Sequence, residues 1–248
     1  MVALPVMAET NQEKGLRIST EVEKRDTGWK DEVMNMQMVL TNRHGEESGR
    51  DVRLKMLEVQ NDGDKSISVF RSPRDIKGTA LLSHSHKVGS DDQWLYLPAL
   101  KRVKRISSKN KSGSFMGSEF AYEDISFQEV EKYQHTYVKD DVIGERKAFV
   151  IERIPVDKYS GYSKQHVWID AERYIPLKIE FFDRKKQLLK TLTFGGYALY
   201  QDTFWRAAEQ EMVNHQSGKK TKLIWSNRKF NNGFKSSDFI QNALKRVR

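Results

Sequence analysis

The sequence predicts an α+β fold: one strongly curved antiparallel β-sheet of about ten to twelve strands, a half-open barrel, with helices and a loop covering its concave side. Three observations predict it. Apolar residues recur at alternate positions over most of the chain from Val33 to Phe230, the period of a strand. Short turn signals such as His44-Gly45, Asn61-Asp62-Gly63-Asp64, Asp183-Arg184 and Ser217-Gly218 separate the runs, and short turns make neighbouring strands antiparallel. A sheet with that many strands must curl.

The composition supports one core. Of the 248 residues 38% are hydrophobic, including 12 Phe, 9 Tyr and 5 Trp, and 31% are charged. No run approaches the ~18 apolar residues of a membrane-spanning helix. There is no cysteine, which excludes a disulfide framework and a lipidated N-terminal cysteine. No repeat and no long linker divides the chain, so residues 9–248 are expected to form one domain. Residues 1–8 are expected to be the remnant of a signal peptide or a disordered tail. Val6-Met7-Ala8 has the small-residue spacing of a signal-peptidase site with cleavage near Ala8, and the bare sequence allows a disordered tail equally well.

Thr10-Asn11-Gln12-Glu13 is a capping box, which predicts a helix to about Asp26 with Leu16, Ile18 and Val22 near one stripe and Gly28 ending it. Met34, Met36, Met38 and Leu40 then share one face of a strand, followed by Val52, Leu54 and Met56 at alternate positions. Six strands are in place by Ile106. Further strands are expected at 131–139, 146–154, 164–170, 175–182, 188–199, 205–215 and 221–230, with Gly195-Gly196 marking a bulge or sharp bend. Ser236-Ser237-Asp238 is expected to cap a last helix carrying Phe239, Ile240, Ala243, Leu244 and Val247.

The most informative stretch is Gln93–Ser126. Trp94-Leu95-Tyr96-Leu97 reads as a strand ended by Pro98. Lys101, Arg102, Lys104 and Arg105 make a short basic strand, and the loop after it carries Phe115, Met116 and Phe120. Three large apolar groups on one loop need a groove to dock on or to close over. Tyr122-Glu123-Asp124-Ile125 is placed as the first turn of a short helix. The runs WLYLP, KRVKRI and SFMGSEFAYEDI resemble the outer-membrane lipoprotein-sorting proteins, the LolA-like periplasmic carriers, and within them the subgroup associated with RND/MMPL-type lipid exporters. The resemblance extends over nearly the whole chain. It implies a half-open barrel holding a lipid or lipoprotein acyl chain, export to the periplasm with a signal peptide cleaved near Ala8, no enzymatic activity, no cofactor, and an inner-membrane transporter as partner.

On that reading Met34, Met36, Met38, Leu40, Leu54, Met56 and Tyr96 line an apolar cavity, since unbranched thioethers re-pack around ligands of varied shape. Phe115, Met116 and Phe120 form its lid. An ordinary sheet core is the competing reading of the methionine stripe. Lys101, Arg102, Lys104 and Arg105 form a basic rim that docks on anionic head groups or an acidic patch of the partner. The formal charge of +9 also fits nucleic acid, but export makes that partner improbable, and a monomer is expected. A cargo-free accessory subunit of the transporter is the alternative function.

No catalytic or metal constellation survives weighing. His84 and His86 lack a third ligand nearby in sequence and read as a surface pair. Ser217-Gly218-Lys219-Lys220-Thr221 mimics the end of a P-loop, but Val213 stands where its first glycine belongs.

Overall fold

The computed structural model describes residues 8–246, so the cleavage signal around Val6-Met7 and the helical position given to Val247 lie outside the described residues. The chain opens with α1 (Asn11–Arg25), whose capping box is formed as expected: the Glu13 amide donates to Thr10 Oγ1 at 3.2 Å, and the Thr10 amide donates to Glu13 Oε2 at 2.8 Å. Asp26, not Gly28, is the C-cap. The buried face of α1 is Gly15, Ile18 and Ser19 with Val22 beside them, while Leu16 is half exposed. The stripe is displaced because α1 lies almost in van der Waals overlap with a strand, so that small residues face it.

Six strands follow: β1 (Asp31–Thr41), β2 (Glu47–Leu57), β3 (Lys65–Ser72), β4 (Ala80–His84), β5 (Asp92–Leu97) and β6 (Arg102–Ile106). After a connector come β7 (Tyr133–Ile143), β8 (Arg146–Pro155), β9 (Tyr162–Asp170), β10 (Pro176–Asp183) and β11 (Leu188–Gly195). A small hairpin, β12 (Ala198–Tyr200) and β13 (Phe204–Arg206), precedes β14 (Glu209–Asn214) and β15 (Lys220–Phe230). The expected 188–199 and 205–215 strands are each broken in two. Gly196, at φ +62°, turns the chain out of the sheet, and the β12–β13 hairpin pairs only with itself.

All strands but β12 and β13 form one 13-stranded sheet in the order β6-β5-β4-β3-β2-β1-β15-β14-β11-β10-β9-β8-β7. The chain walks from the middle to one edge, crosses to the other edge, and walks back until β15 pairs with β1. The sheet is not closed: β6 and β7 are its free edges, and residues 107–132 are the covalent link between them.

Residues directly opposite one another in an antiparallel pair share a face. The inner face carries the main core, including Met36, Met38, Val52, Phe70, Ile151 and Leu192, and it receives Ile18 of α1. The outer face carries two smaller clusters. Leu57, Ile67, Val69, Ala80 and Leu82 pack against Phe239 and Leu244 of the C-terminal segment. Ala148, Val150, Trp168, Ile175 and Leu177 pack against Tyr197 and Trp205 around the β12–β13 hairpin. The last helix, α2 (Gln241–Leu244), is shorter than the sequence suggests, and Ser236–Asp238 forms a separate 3₁₀ turn before it. Among the described residues no helix is long and apolar enough to cross a membrane.

Candidate functional site

The site is built around the connector. Residues 111–123 fold back on themselves as a narrow hairpin: the Glu123 amide donates to Lys111 O at 2.9 Å, Tyr122 to Gly113 O at 3.0 Å and Phe115 to Phe120 O at 2.7 Å. At the tip Ser118 donates to Phe115 O, and both residues between, Met116 (φ +52°) and Gly117 (φ +77°), are left-handed, as a type I′ turn requires. Tyr122-Glu123-Asp124-Ile125, read from the sequence as the start of a helix, is a turn. Its carboxylates bind the sheet, and this engagement takes the place of helix formation.

Phe115 and Phe120 are fully buried on the inner face, with Met116 packed beside them. The Phe115 ring centroid lies 5.7 Å from those of Phe70 and Tyr122. Polar contacts fix the hairpin to both halves of the sheet. On one side Gln93 of β5 donates to Tyr122 O at 3.1 Å and Ser126 Oγ at 3.0 Å, and Arg50 of β2 donates to Met116 O. On the other, the Glu119 amide donates to Thr221 Oγ1 at 3.0 Å, and Asn214 Nδ2 donates to Glu119 Oε2 at 2.6 Å. Glu123 accepts from Ser160 Oγ at 2.7 Å and the Gly161 amide at 2.8 Å, and burial raises its pKa.

A buried ion pair adds to these ties. Lys190 Nζ of β11 lies 2.6 Å from Asp124 Oδ2, with both side chains almost wholly excluded from solvent. Lys190 also donates to Glu119 O at 2.9 Å; Asp124 also accepts from the Ala121 amide at 2.6 Å and from Tyr162 OH at 2.7 Å. Burial and the neighbouring carboxylates push the Tyr162 phenol well above its ordinary pKa, so it remains a donor. The foot of the connector is held by His135 of β7, which donates through Nε2 to Val130 O at 2.9 Å and accepts at Nδ1 from Ser19 of α1 at 2.8 Å. Burial lowers the pKa of this imidazole and keeps it neutral.

Met36, Met38 and Leu40 lie on the inner face with Phe115, Met116 and Phe120, and Leu54 joins them. Met34 is buried outside that cluster, and Met56 is half buried. Tyr96 departs from the expectation. It pairs with Ala80 and Val103 and packs on the outer face with the cluster that contains Phe239 and Leu244. Strand alternation gives the inward position to its neighbour Leu95. The space the sequence assigns to a ligand holds the hairpin itself. In a closed core Met36→Ala is expected to lower the unfolding free energy by about 2–5 kcal/mol, and Met36→Gln by at least as much. Equilibrium urea unfolding checks this, and a loss under ~1 kcal/mol for both would mean that water or ligand already reaches the stripe.

Lys101, Arg102, Lys104 and Arg105 are exposed at the free edge β6. Arg105 pairs with Asp92, while Arg102 and Lys104 alternate with Val103, so the four charges do not share one face. His84 and His86 do not converge: His84 Nε2 donates to Phe239 O at 2.7 Å, and His86 sits between Asp62 and Asp92. Glu23, Glu129 and Glu131 bring carboxylate oxygens within 4.8 Å of one another, as a cation site would. Lys87 already occupies that role, with Nζ 2.8 Å from Glu23 and 3.8 Å from Glu131.

Nearby, burial lifts Asp64 to a pKa of about 7. Its neutral form is favoured in the fold, so its contribution to stability is complete below pH ~4 and is lost as pH rises through ~7. Wild-type stability should carry a decline on the order of 1–3 kcal/mol over that window that Asp64→Asn removes. Parallel melts of the two proteins across pH 4–8 would show equal slopes if Asp64 were solvated.

The geometry defines a class: a half-open antiparallel barrel whose apolar inner face is closed by a hairpin tied to both sides. Comparison with known proteins agrees. A crystal structure described as an outer membrane lipoprotein-sorting protein domain from Vibrio parahaemolyticus is 56% identical, with a TM-score of 0.93, covering 95% of this chain and 100% of that one. A DUF1329 family protein from Desulfovibrio piger is 26% identical with a TM-score of 0.89, covering 95% and 99%. A LolA superfamily protein from Nitrosomonas europaea, 20% identical with a TM-score of 0.74 over 95% and 100% of the two chains, shares the fold. Residues 62–246 match a family model described as uncharacterized protein-like. No curated protein matches the chain. The chain belongs to the outer-membrane lipoprotein-sorting protein family.

Proposed function

We propose that this protein is a periplasmic, non-enzymatic carrier that shelters a lipid or lipoprotein acyl moiety on the inner face of its half-barrel and passes it between membranes. An inner-membrane transporter of the RND/MMPL type is its partner in this reading. The observation that carries it is the connector: an apolar inner wall is covered by a separate hairpin, linked covalently only to the two free edges. Such a cover can lift without breaking any strand pairing. An acyl chain taking the place of Phe115 and Phe120 contributes ~0.8 kcal/mol per buried methylene, so a greasy wall suffices for binding. Native mass spectrometry of protein from its own periplasm tests the proposal. A lipid adduct is expected; adduct-free protein that also takes up no fluorescent fatty acid would leave the accessory-subunit reading, which the filled inner face favours.

In this reading the β6 charges dock the carrier rather than hold its fold. Exposed charges contribute little to stability, ~0–1 kcal/mol each pair. Replacing Lys101, Arg102, Lys104 and Arg105 together by Gln should leave the melting temperature nearly unchanged and weaken sedimentation with anionic liposomes. Unfolding of that variant would make the four residues structural.

A further inference from the structure

Lys190 lines an open cleft of about 660 Å³ between the connector and the hairpin tips of the second half of the sheet. Phe120, Tyr162 and Leu189 supply its apolar wall, so the cleft adjoins the main core. Arg184, Lys185 and Lys219 stand around it. Arg184 donates to the carbonyls of Ser160, at 2.9 and 3.1 Å, and Tyr159, at 3.2 Å, which leaves its charge unneutralised. Among the described residues neither Lys185 nor Lys219 forms an ion pair; the acids of the lining keep their own hydrogen bonds from neutral groups, Glu119 from Asn214, Glu123 from Ser160 and Gly161, and Asp183 from the amides of Lys185 and Gln187 and from Gln216.

We propose that this cleft receives the anionic head group, a phosphate or carboxylate, of an acyl-chain ligand, and that this anion replaces Asp124 as the counter-ion of Lys190 when the connector lifts. The proposal rests on the carrier reading above. The Lys190 side chain is only 5% exposed, and the Tyr162 and Phe181 rings, with centroids 5.2 and 5.3 Å from its ammonium, offset only part of that desolvation. In such surroundings a cation without a counter-ion is strongly disfavoured. Asp124 belongs to the connector and departs with it, so an apolar ligand that fills the opened space buries Lys190 again and must bring an anion to the same place. A ligand with a neutral head offers none. Arg184, Lys185 and Lys219 flank the entrance as direct partners for an anionic head, and the chain that follows it meets Tyr162 and Leu189 of the sheet and enters the space that Phe115 and Phe120 vacate.

The test titrates delipidated protein with dodecyl phosphate, with monolauroyl glycerol as the neutral amphiphile of equal chain length, and with inorganic phosphate alone. Dodecyl phosphate is expected to bind about tenfold or more tightly than the neutral amphiphile. Lys190→Met should reduce that preference to about threefold or less while retaining affinity for the neutral amphiphile. If that variant does not fold, the exposed pair Lys185→Gln with Lys219→Gln decides the matter: a preference falling by about threefold supports the cleft, and an undiminished one overturns it. Equal binding of both amphiphiles by the wild type overturns the head-group site but leaves the carrier standing. Binding of neither overturns the carrier reading and this inference with it. Inorganic phosphate binding as tightly as dodecyl phosphate would make the cleft a free-anion site and overturn the claim that it serves a lipid.

Discussion

Asp124→Ala is expected to lower the unfolding free energy by about 3–5 kcal/mol, because it leaves the Lys190 ammonium buried without its partner. The loss has a ceiling. Once closing the connector costs more than leaving it open, the sheet can persist with the hairpin lifted, and further damage to the latch no longer matters. Asp124→Ala combined with Phe115→Ala should therefore cost less than the sum of the two single losses. Chemical denaturation gives the totals, and amide exchange across residues 111–124 identifies the lifted state. Full additivity, with the connector protected to the same level as the sheet, would show that the hairpin is an inseparable part of the core.

Gly15→Ala sets two effects of known sign against each other. Alanine is favoured over glycine inside a helix by about 1 kcal/mol. Against this, a Cβ at Gly15 would lie 2.6 Å from Tyr137 N, 2.8 Å from Thr136 C and 2.9 Å from Thr136 Cα, all backbone atoms of β7 that cannot rotate away. Such crowding costs about 1–3 kcal/mol or more, so net destabilisation is expected, and Gly15→Val should be worse on both counts. Urea unfolding measures the sign. A stabilised Gly15→Ala would mean that α1 stands further from β7 than the contacts require.

The sheet was legible in the sequence because its signals are local. Alternation in Met34-Met36-Met38-Leu40 and a turn such as Asn61-Asp62-Gly63 specify a strand and its hairpin without reference to the rest of the chain. The capping box at Thr10 is equally local, and it formed. The failures have non-local causes. Alternation shows that Leu95 and Tyr96 face opposite ways but not which way is inward, and that depends on where α1 and the C-terminal segment dock. The acidic run Glu123-Asp124 carries a helix signal, yet Ser160, Gly161 and Lys190, far along the chain, determine its structure. Leu16 lost its place to Gly15 because the distance between α1 and β7 is written in neither segment alone. The aromatic lid residues were legible as a group needing cover. Lys190, the cation that holds them down, sits in a strand of ordinary composition, Leu188–Gly195, and had no signal of its own.

The order of strands also dictates how the chain must assemble. Every pairing in the 13-stranded sheet joins near neighbours along the chain, apart from β1 with β15, where Glu32 meets Phe230, and the short detour of β11 to β14 around the small hairpin. Two half-sheets can therefore grow independently by zipping hairpins, each with little loop to close. The β1–β15 pairing is a seam that cannot form before the last strand exists. Until then the eleven-residue β1 is a bare edge, the most hazardous kind of surface a nascent β-protein exposes. Met36 and Met38, which mark the inner wall of the finished barrel, lie on that edge.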